Sequence, residues 1–226
     1  AATVNNYAHI SFNIGPTLLS WLERHDPFTY RRILAADAES AQRFGGHGSA
    51  MAQAYNHLIM PLANPRDKTT QVVWGIADFE RRYGRRPEGM WLPETAVDLE
   101  SLAEHGIRFT VLAPHQAARF RPLAGGDWHP VPQADIDTTR AYLQRLPSGR
   151  QIAVFFYNGP VSHDVAFADL LTSGERFAGR LTAAFAPHAN HQQLVHIASD
   201  GETYGHHRRF TDMALAYAVR TLAHWD

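Results

Sequence analysis

Two acidic segments hold the residue types that could do chemistry. Trp91-Leu92-Pro93-Glu94-Thr95-Ala96-Val97-Asp98 sets a carboxylate just past a short apolar run, at a proline-marked junction into a helix. Ser199-Asp200-Gly201-Glu202 follows a second apolar run, Leu194 to Ala198, in the same position. Cleaving a glycosidic bond takes two carboxyl groups, because one must give a proton to the leaving oxygen while the other supplies negative charge or a covalent bond at the sugar carbon. A Glu and an Asp at separate strand ends meet that need. The competing reading is that each acid caps the helix after it, as acids at helix starts often do. Trp91, Trp128, Tyr157 and Tyr204 all lie at or near strand ends, where flat faces can stack on sugar rings.

The elements that must position these acids follow from periodicity. Val4 to Phe12 reads as a strand, and Gly15-Pro16-Thr17 starts a helix with Leu18, Leu19, Trp21 and Leu22 on its apolar face. A second helix runs from Phe28 to Phe44 into the flexible turn Gly45-Gly46-His47-Gly48, and Ser49 is placed to cap a third carrying Met51, Tyr55 and Leu58. Thr70 to Tyr83 has helical spacing and stops at Gly84. Glu88 to Leu92 is a short buried strand. Thr95 with Asp98 three residues on resembles a capping box for a helix through His105, and Ile107 to Ala113 is the next strand. Strand, helix, strand alternation is the signature of βαβ units and a parallel sheet, in which the loops after the strands' carboxyl ends hold the active site. Glu94 and Asp200 both fall there.

One stretch breaks the alternation. Residues Pro114 to Pro147, with Gly125-Gly126-Asp127-Trp128 and several prolines, form a long excursion that ends in a hairpin turned by Pro147-Ser148-Gly149. Ile152 to Tyr157 resumes as a strand, helical patterns run from Val161 to Phe185, and Gln193 to Ala198 is a further strand leading into Asp200.

Composition narrows the function classes. At 226 residues and 45% hydrophobic the chain can bury a sizeable core in one large domain. A net charge of −1 with interspersed signs gives no electrostatic footprint for nucleic acid. No apolar run approaches the roughly 20 residues of a membrane span. The absence of cysteine excludes disulfides and thiolate chemistry and fits a reducing, cytoplasmic compartment. Fourteen histidines raise the question of a metal, but neither His188 with His191 nor His206 with His207 has a third ligand at recognisable spacing, so they read as solvated surface residues. No phosphate-binding glycine loop or Gly-x-Ser-x-Gly elbow occurs.

These residues resemble glycoside hydrolase family 57, in particular its bacterial amylase-like branch. The resemblance rests on Ser11-Phe12-Asn13-Ile14-Gly15-Pro16-Thr17-Leu18-Leu19 within Asn5 to Trp21, on Gly46 to Leu62 with its His-Gly-Ser-Ala start, on Gly89 to Asp98, and on Asp200 to Gly205. It implies an α/β fold, a distorted seven-stranded (β/α) barrel of glycoside hydrolase and deacetylase type, and a retaining mechanism on α-glucans or related α-linked polysaccharides through a covalent glycosyl-enzyme intermediate. In the family the glutamate of the Trp-x-x-Glu segment is the nucleophile and the aspartate of the Asp-x-Glu segment is the general acid/base. These are Glu94 and Asp200 here. No metal or other cofactor is implied.

The family's opening strand with its His-Gln-Pro motif is not in this chain, so the expectation is a single catalytic barrel domain over residues 1–226 that lacks its first strand and is truncated at both ends. Trp91, Glu202, His47, His115 and Tyr204 are the candidates for binding sugar, and Asp137 with Arg140 is a candidate structural ion pair. Two other functions compete. A metal-dependent carbohydrate deacetylase on the same kind of barrel would show a divalent ion with converging His and Asp ligands, and a non-catalytic glycan-binding domain would bind without cleaving.

Overall fold

The computed structural model describes residues 4–223. In chain order its helices and strands are α1 (Pro16–His25), α2 (Pro27–Arg43), β1 (Ala52–Gln53), α3 (Pro65–Tyr83), β2 (Met90–Trp91), α4 (Leu99–Glu104), β3 (Phe109–Leu112), β4 (Arg119–Phe120), β5 (His129–Pro130), β6 (Ala141–Arg145), β7 (Gln151–Phe156), α5 (Gly159–Phe167), α6 (Gly174–Thr182) and α7 (Thr211–Leu222). The chain divides into two compact units. One runs up to Val111 and takes in Leu143–Val154; the other comprises Leu112–Tyr142 and the chain from Phe155 onward. Strands β3, β7 and β6 form a sheet in that order.

In the first unit β1 and β2 are short and parallel, and two parallel bridges flank them. Phe12 bridges Ala50, Ala52 pairs with Met90, Gln53 pairs with Trp91, and Gly89 bridges Phe109. Successive βαβ steps therefore bring Gln53 and Trp91 side by side at the strands' carboxyl ends. The helices between them start and stop on local chemistry. Asp26 before Pro27 accepts from the Thr29 amide, Asn64 before Pro65 accepts from the Asp67 amide, and α3 ends on Gly84 at φ 65°, the left-handed stop glycine allows. Their inner faces close a core of Leu19, Ile33, Val72, Ile76 and Phe79 over Phe12, Ala52, Met90, Leu92 and Ile107. Helix α3 approaches β1 closely at Gly75, where a Cβ would lie 2.1 Å from the Gln53 carbonyl oxygen.

The second unit packs α6 on α7. Its interior is formed by Val161, Val165, Leu170, Leu171, Phe177, Ala214, Leu215 and Ala218. Asn158 caps α5 and Ser173 caps α6. The excursion holds the antiparallel pair β4–β5, with Arg119 opposite Pro130 and Phe120 opposite His129.

Several expectations change. Val4 to Phe12 is a tight helical turn at Asn6–Ala8 with Phe12 alone in a bridge. Ser49 does not start a helix; β1 comes next. Ala50, Ala52 and Ala54 are buried at every second position, which is a strand pattern, and the Ser49 hydroxyl donates sideways to the Tyr7 carbonyl. Helix α4 begins at Leu99, not Thr95, because Asp98 is the residue whose side chain accepts from Ser101. Gln193 to Ala198 is not a strand. The Asn158 amide donates to the His196 carbonyl, the Leu194 amide donates to the Thr139 carbonyl, and the Ala198 amide donates to the hydroxyl of Ser162 on α5, so this backbone bonds a helix cap, a loop and a helix side chain and not a neighbouring strand.

The α/β class holds. Among the described residues the strands fall in sheets of two, three and two, none of them closed, and no helix is long and apolar enough to cross a membrane.

Candidate active site

In the first unit Glu94 stands immediately beyond β2. Leu92 and Pro93 are buried, fixing the base of a tight turn in which Thr95 donates its amide to the Leu92 carbonyl and Ala96 donates to Pro93, each at 3.0 Å. The turn is left-handed. Glu94 has φ 57° and Thr95 has φ 53°, a conformation that costs L residues about 1–2 kcal/mol each and is a true outlier for β-branched threonine. Strain of this kind persists where the surroundings over-determine it, and it gathers at functional sites. Here it lifts the Glu94 side chain out of the turn with 69% of its surface exposed.

Glu94 does not cap a helix, since Asp98 fills that role for α4 and is itself tied to Lys68 at 2.6 Å. Burial pulls the Asp98 carboxyl upward, but Lys68 and the Ser101 amide outweigh it and hold the group below the ordinary aspartate range. The side chain that does meet Glu94 is His57, four residues past β1, whose Nε2 lies 3.3 Å from Oε1. Sequence reasoning missed His57. The available signal was its place in a loop after a strand's carboxyl end, hidden because that segment reads as a helix.

His47 lies elsewhere. It precedes β1 and bonds Glu88, which precedes β2, at 2.7 Å, so this pair sits at the strands' amino ends, opposite to Glu94. The His47 hydrogen bond, outweighing partial burial, lowers the Glu88 carboxyl, and Arg108 reinforces it at 2.6 Å. Trp91 is the last residue of β2, half-buried, three positions before Glu94.

In the second unit Asp200 is exposed and opens the turn Gly201–Thr203, yet its side chain makes no capping hydrogen bond to that turn. Glu202 is also exposed, and its carbonyl accepts from the His206 and His207 amides. Thr203 is buried beneath, with its carbonyl taken by the Thr211 hydroxyl, which anchors the segment to α7. Burial raises the Tyr204 phenol to about 12, and its side chain hydrogen-bonds Ser199. His196, four residues before Asp200, is a further residue the sequence reading passed over. Burial lowers its pKa, and its Nε2 has no partner among the described residues.

His115 is exposed in the turn Pro114–Gln116 after β3. In the excursion Asp137 and Arg140 pair at 2.7 Å, and His191 joins Asp137 at 3.4 Å and Thr139 at 3.3 Å. His191 is therefore a packed residue and not a solvated one. Among the described residues no group of three or more histidine and acidic side chains is arranged to hold a metal.

A glutamate on a left-handed turn after a parallel strand, and an aspartate free of capping duty before a second turn, describe an α/β protein with carboxylates offered at its surface. The model of glycosyl hydrolase family 57 matches residues 45–225, and the chain belongs to that family. The fold is similar to that of a 4-alpha-glucanotransferase from Thermococcus litoralis, at 17% identity and a TM-score of 0.71 over 97% of this chain and 32% of the other. An exo-type maltose-forming amylase from Pyrococcus sp. ST04 gives 16% identity and a TM-score of 0.67 over 97% of this chain and 35% of that one. A GH57-type branching enzyme from Pyrococcus horikoshii gives 19% and 0.62 over 90% and 46%. The chain thus spans 32% to 46% of the length of these enzymes. No curated protein matches it by sequence.

Proposed function

We propose that residues 1–226 act as a (β/α)-barrel catalytic domain that cleaves or transfers α-linked glucan by a retaining mechanism, with Glu94 as nucleophile and Asp200 as general acid/base. Asp200 first donates its proton to the glycosidic oxygen as Glu94 attacks the anomeric carbon, giving a glycosyl ester on Glu94 of inverted configuration. Asp200 then takes a proton from water or from a sugar hydroxyl, which attacks the ester and restores the original configuration. Hydrolysis and transfer share every step to the ester and differ in which acceptor reaches it. Trp91 offers an aromatic face beside the nucleophile, while Glu202, His115 and Tyr204 are candidates for contacts to sugar hydroxyls. Proton and nucleophile both come from carboxyl groups, so the cycle calls for no metal.

The observation that carries this reading is Glu94 itself, in a chain of family 57: a strained turn raises its carboxylate clear of the strand end, and another residue does the helix capping. With an α-glucan as substrate, Glu94→Gln and Asp200→Asn each lower cleavage at least about a thousandfold, as loss of a group acting in the transition state does, while circular dichroism remains that of the native chain. Native-like turnover in either variant refutes the role given to that residue.

A further inference from the structure

We infer that His57 is the positioning residue of the nucleophile, holding Oε1 of Glu94 so that Oε2 is the oxygen that attacks. The inference rests on the proposed role of Glu94. A carboxylate that attacks must be ionised, and an ionised carboxylate only accepts hydrogen bonds. The His57 nitrogen 3.3 Å from Oε1 therefore carries the proton and donates it to the contact. Oε2 makes no hydrogen bond among the described residues.

The contact is set by backbone on both sides. Around His57, the Tyr55 amide donates to the Gln71 carbonyl at 3.1 Å, the Asn56 amide donates to the Gln71 side-chain oxygen at 2.6 Å, and Leu58 packs against the core. Gln71 is buried on α3, so one helix residue fastens the two positions preceding the histidine. Around Glu94, the buried Leu92 and Pro93 and the left-handed turn fix the other side. Both side chains are about 70% exposed, and a polar pair this exposed contributes little to stability. Its effect then falls on reactivity: a carboxylate on a long, mobile side chain loses rotamer freedom when one oxygen is held, and the other is left aimed at the reacting carbon. Apo contacts of this kind are commonly long and tighten once substrate is bound.

The test uses an aryl α-glucoside whose leaving group departs without a proton, so that the glycosylation step reports on Glu94 alone. His57→Ala is expected to lower kcat/KM about tenfold to a hundredfold, the loss of one hydrogen bond to a charged group, with KM within about twofold of wild type. His57→Gln, which keeps an N–H donor at similar reach, recovers most of that loss, and added imidazole restores part of it in His57→Ala but none in Glu94→Gln. Wild-type kcat/KM in His57→Ala, in a preparation where Glu94→Gln is inactive, overturns the positioning role and leaves the nucleophile assignment standing. Wild-type activity in Glu94→Gln overturns the nucleophile assignment, and the inference with it. A loss in His57→Ala that neither glutamine nor imidazole repairs also counts against positioning.

Discussion

Gly75 is the position where a single methyl group should reveal how tightly α3 holds the loop after β1. A Cβ there would lie 2.1 Å from the Gln53 carbonyl oxygen, 3.2 Å from its carbon and 3.4 Å from the Tyr55 nitrogen, all of them backbone. Van der Waals contact needs about 3.5 Å, so the helix must retreat by more than 1 Å or so. Overpacking of this kind costs about 3 kcal/mol at the upper end of its range. Glycine to alanine inside a helix returns about 1 kcal/mol through propensity, which leaves Gly75→Ala destabilised by about 2 kcal/mol.

Gly179 in α6 provides the control, because a Cβ there has nothing within 4 Å. Gly179→Ala should gain the propensity term alone, about 1 kcal/mol. Urea unfolding followed by circular dichroism measures both. Opposite signs are expected. A Gly75→Ala chain as stable as wild type, or one that moves in the same direction as Gly179→Ala, refutes the claim that α3 and β1 are in backbone contact. Because Gln71 lies one turn before Gly75 and bonds Tyr55 and Asn56, Gly75→Ala should also lower activity through the loop that carries His57.

Two further outcomes follow from paired charges. Arg82, with 1% of its side chain exposed, donates to Asp78, Glu23, Tyr30 and Ser20, so Arg82→Ala strands those partners and should cost about 3–5 kcal/mol in the same urea experiment. Asp98 has a depressed folded pKa, so its contribution is complete above the ordinary aspartate range and is lost as pH falls through the depressed value. Acid unfolding of Asp98→Asn should accordingly be less steep than that of wild type, and an unchanged acid limb would show that the Lys68 pair contributes nothing.

The sequence made much of this architecture legible where local chemistry agrees with packing. The glycine stop at Gly84, the alternation that places β2 before Glu94, and the hairpin at Pro147-Ser148-Gly149, closed by the Leu146 amide on the Arg150 carbonyl, are all written in short-range rules. The failures occur where a tertiary partner decides. Ser49 looks like a cap until Tyr7, far away in sequence, takes its hydroxyl. Thr95 looks like a helix start until its positive φ and the cap at Asp98 move the helix on by four residues. Gln193 to Ala198 has a strand's composition, but its hydrogen-bond partners, Thr139, the α5 cap Asn158 and Ser162 on α5, belong to no strand.

The same division runs through the site. The strand-end position of Glu94 can be read from Trp91 to Asp98 alone. His57 cannot, because its contact joins two loops thirty-seven residues apart. His47 stands in a glycine-rich setting, which says that a turn is present but not at which end of the strands it lies.

The central claim is that Glu94 forms a covalent bond to the sugar. The direct measurement is mass spectrometry of peptides from the chain after reaction with a deactivated fluoroglycosyl donor that forms the ester but hydrolyses slowly. One added glycosyl group is expected on the peptide containing Glu94 and is absent from Glu94→Gln. A label on another residue, or cleavage with inversion at the anomeric carbon and no label, contradicts it.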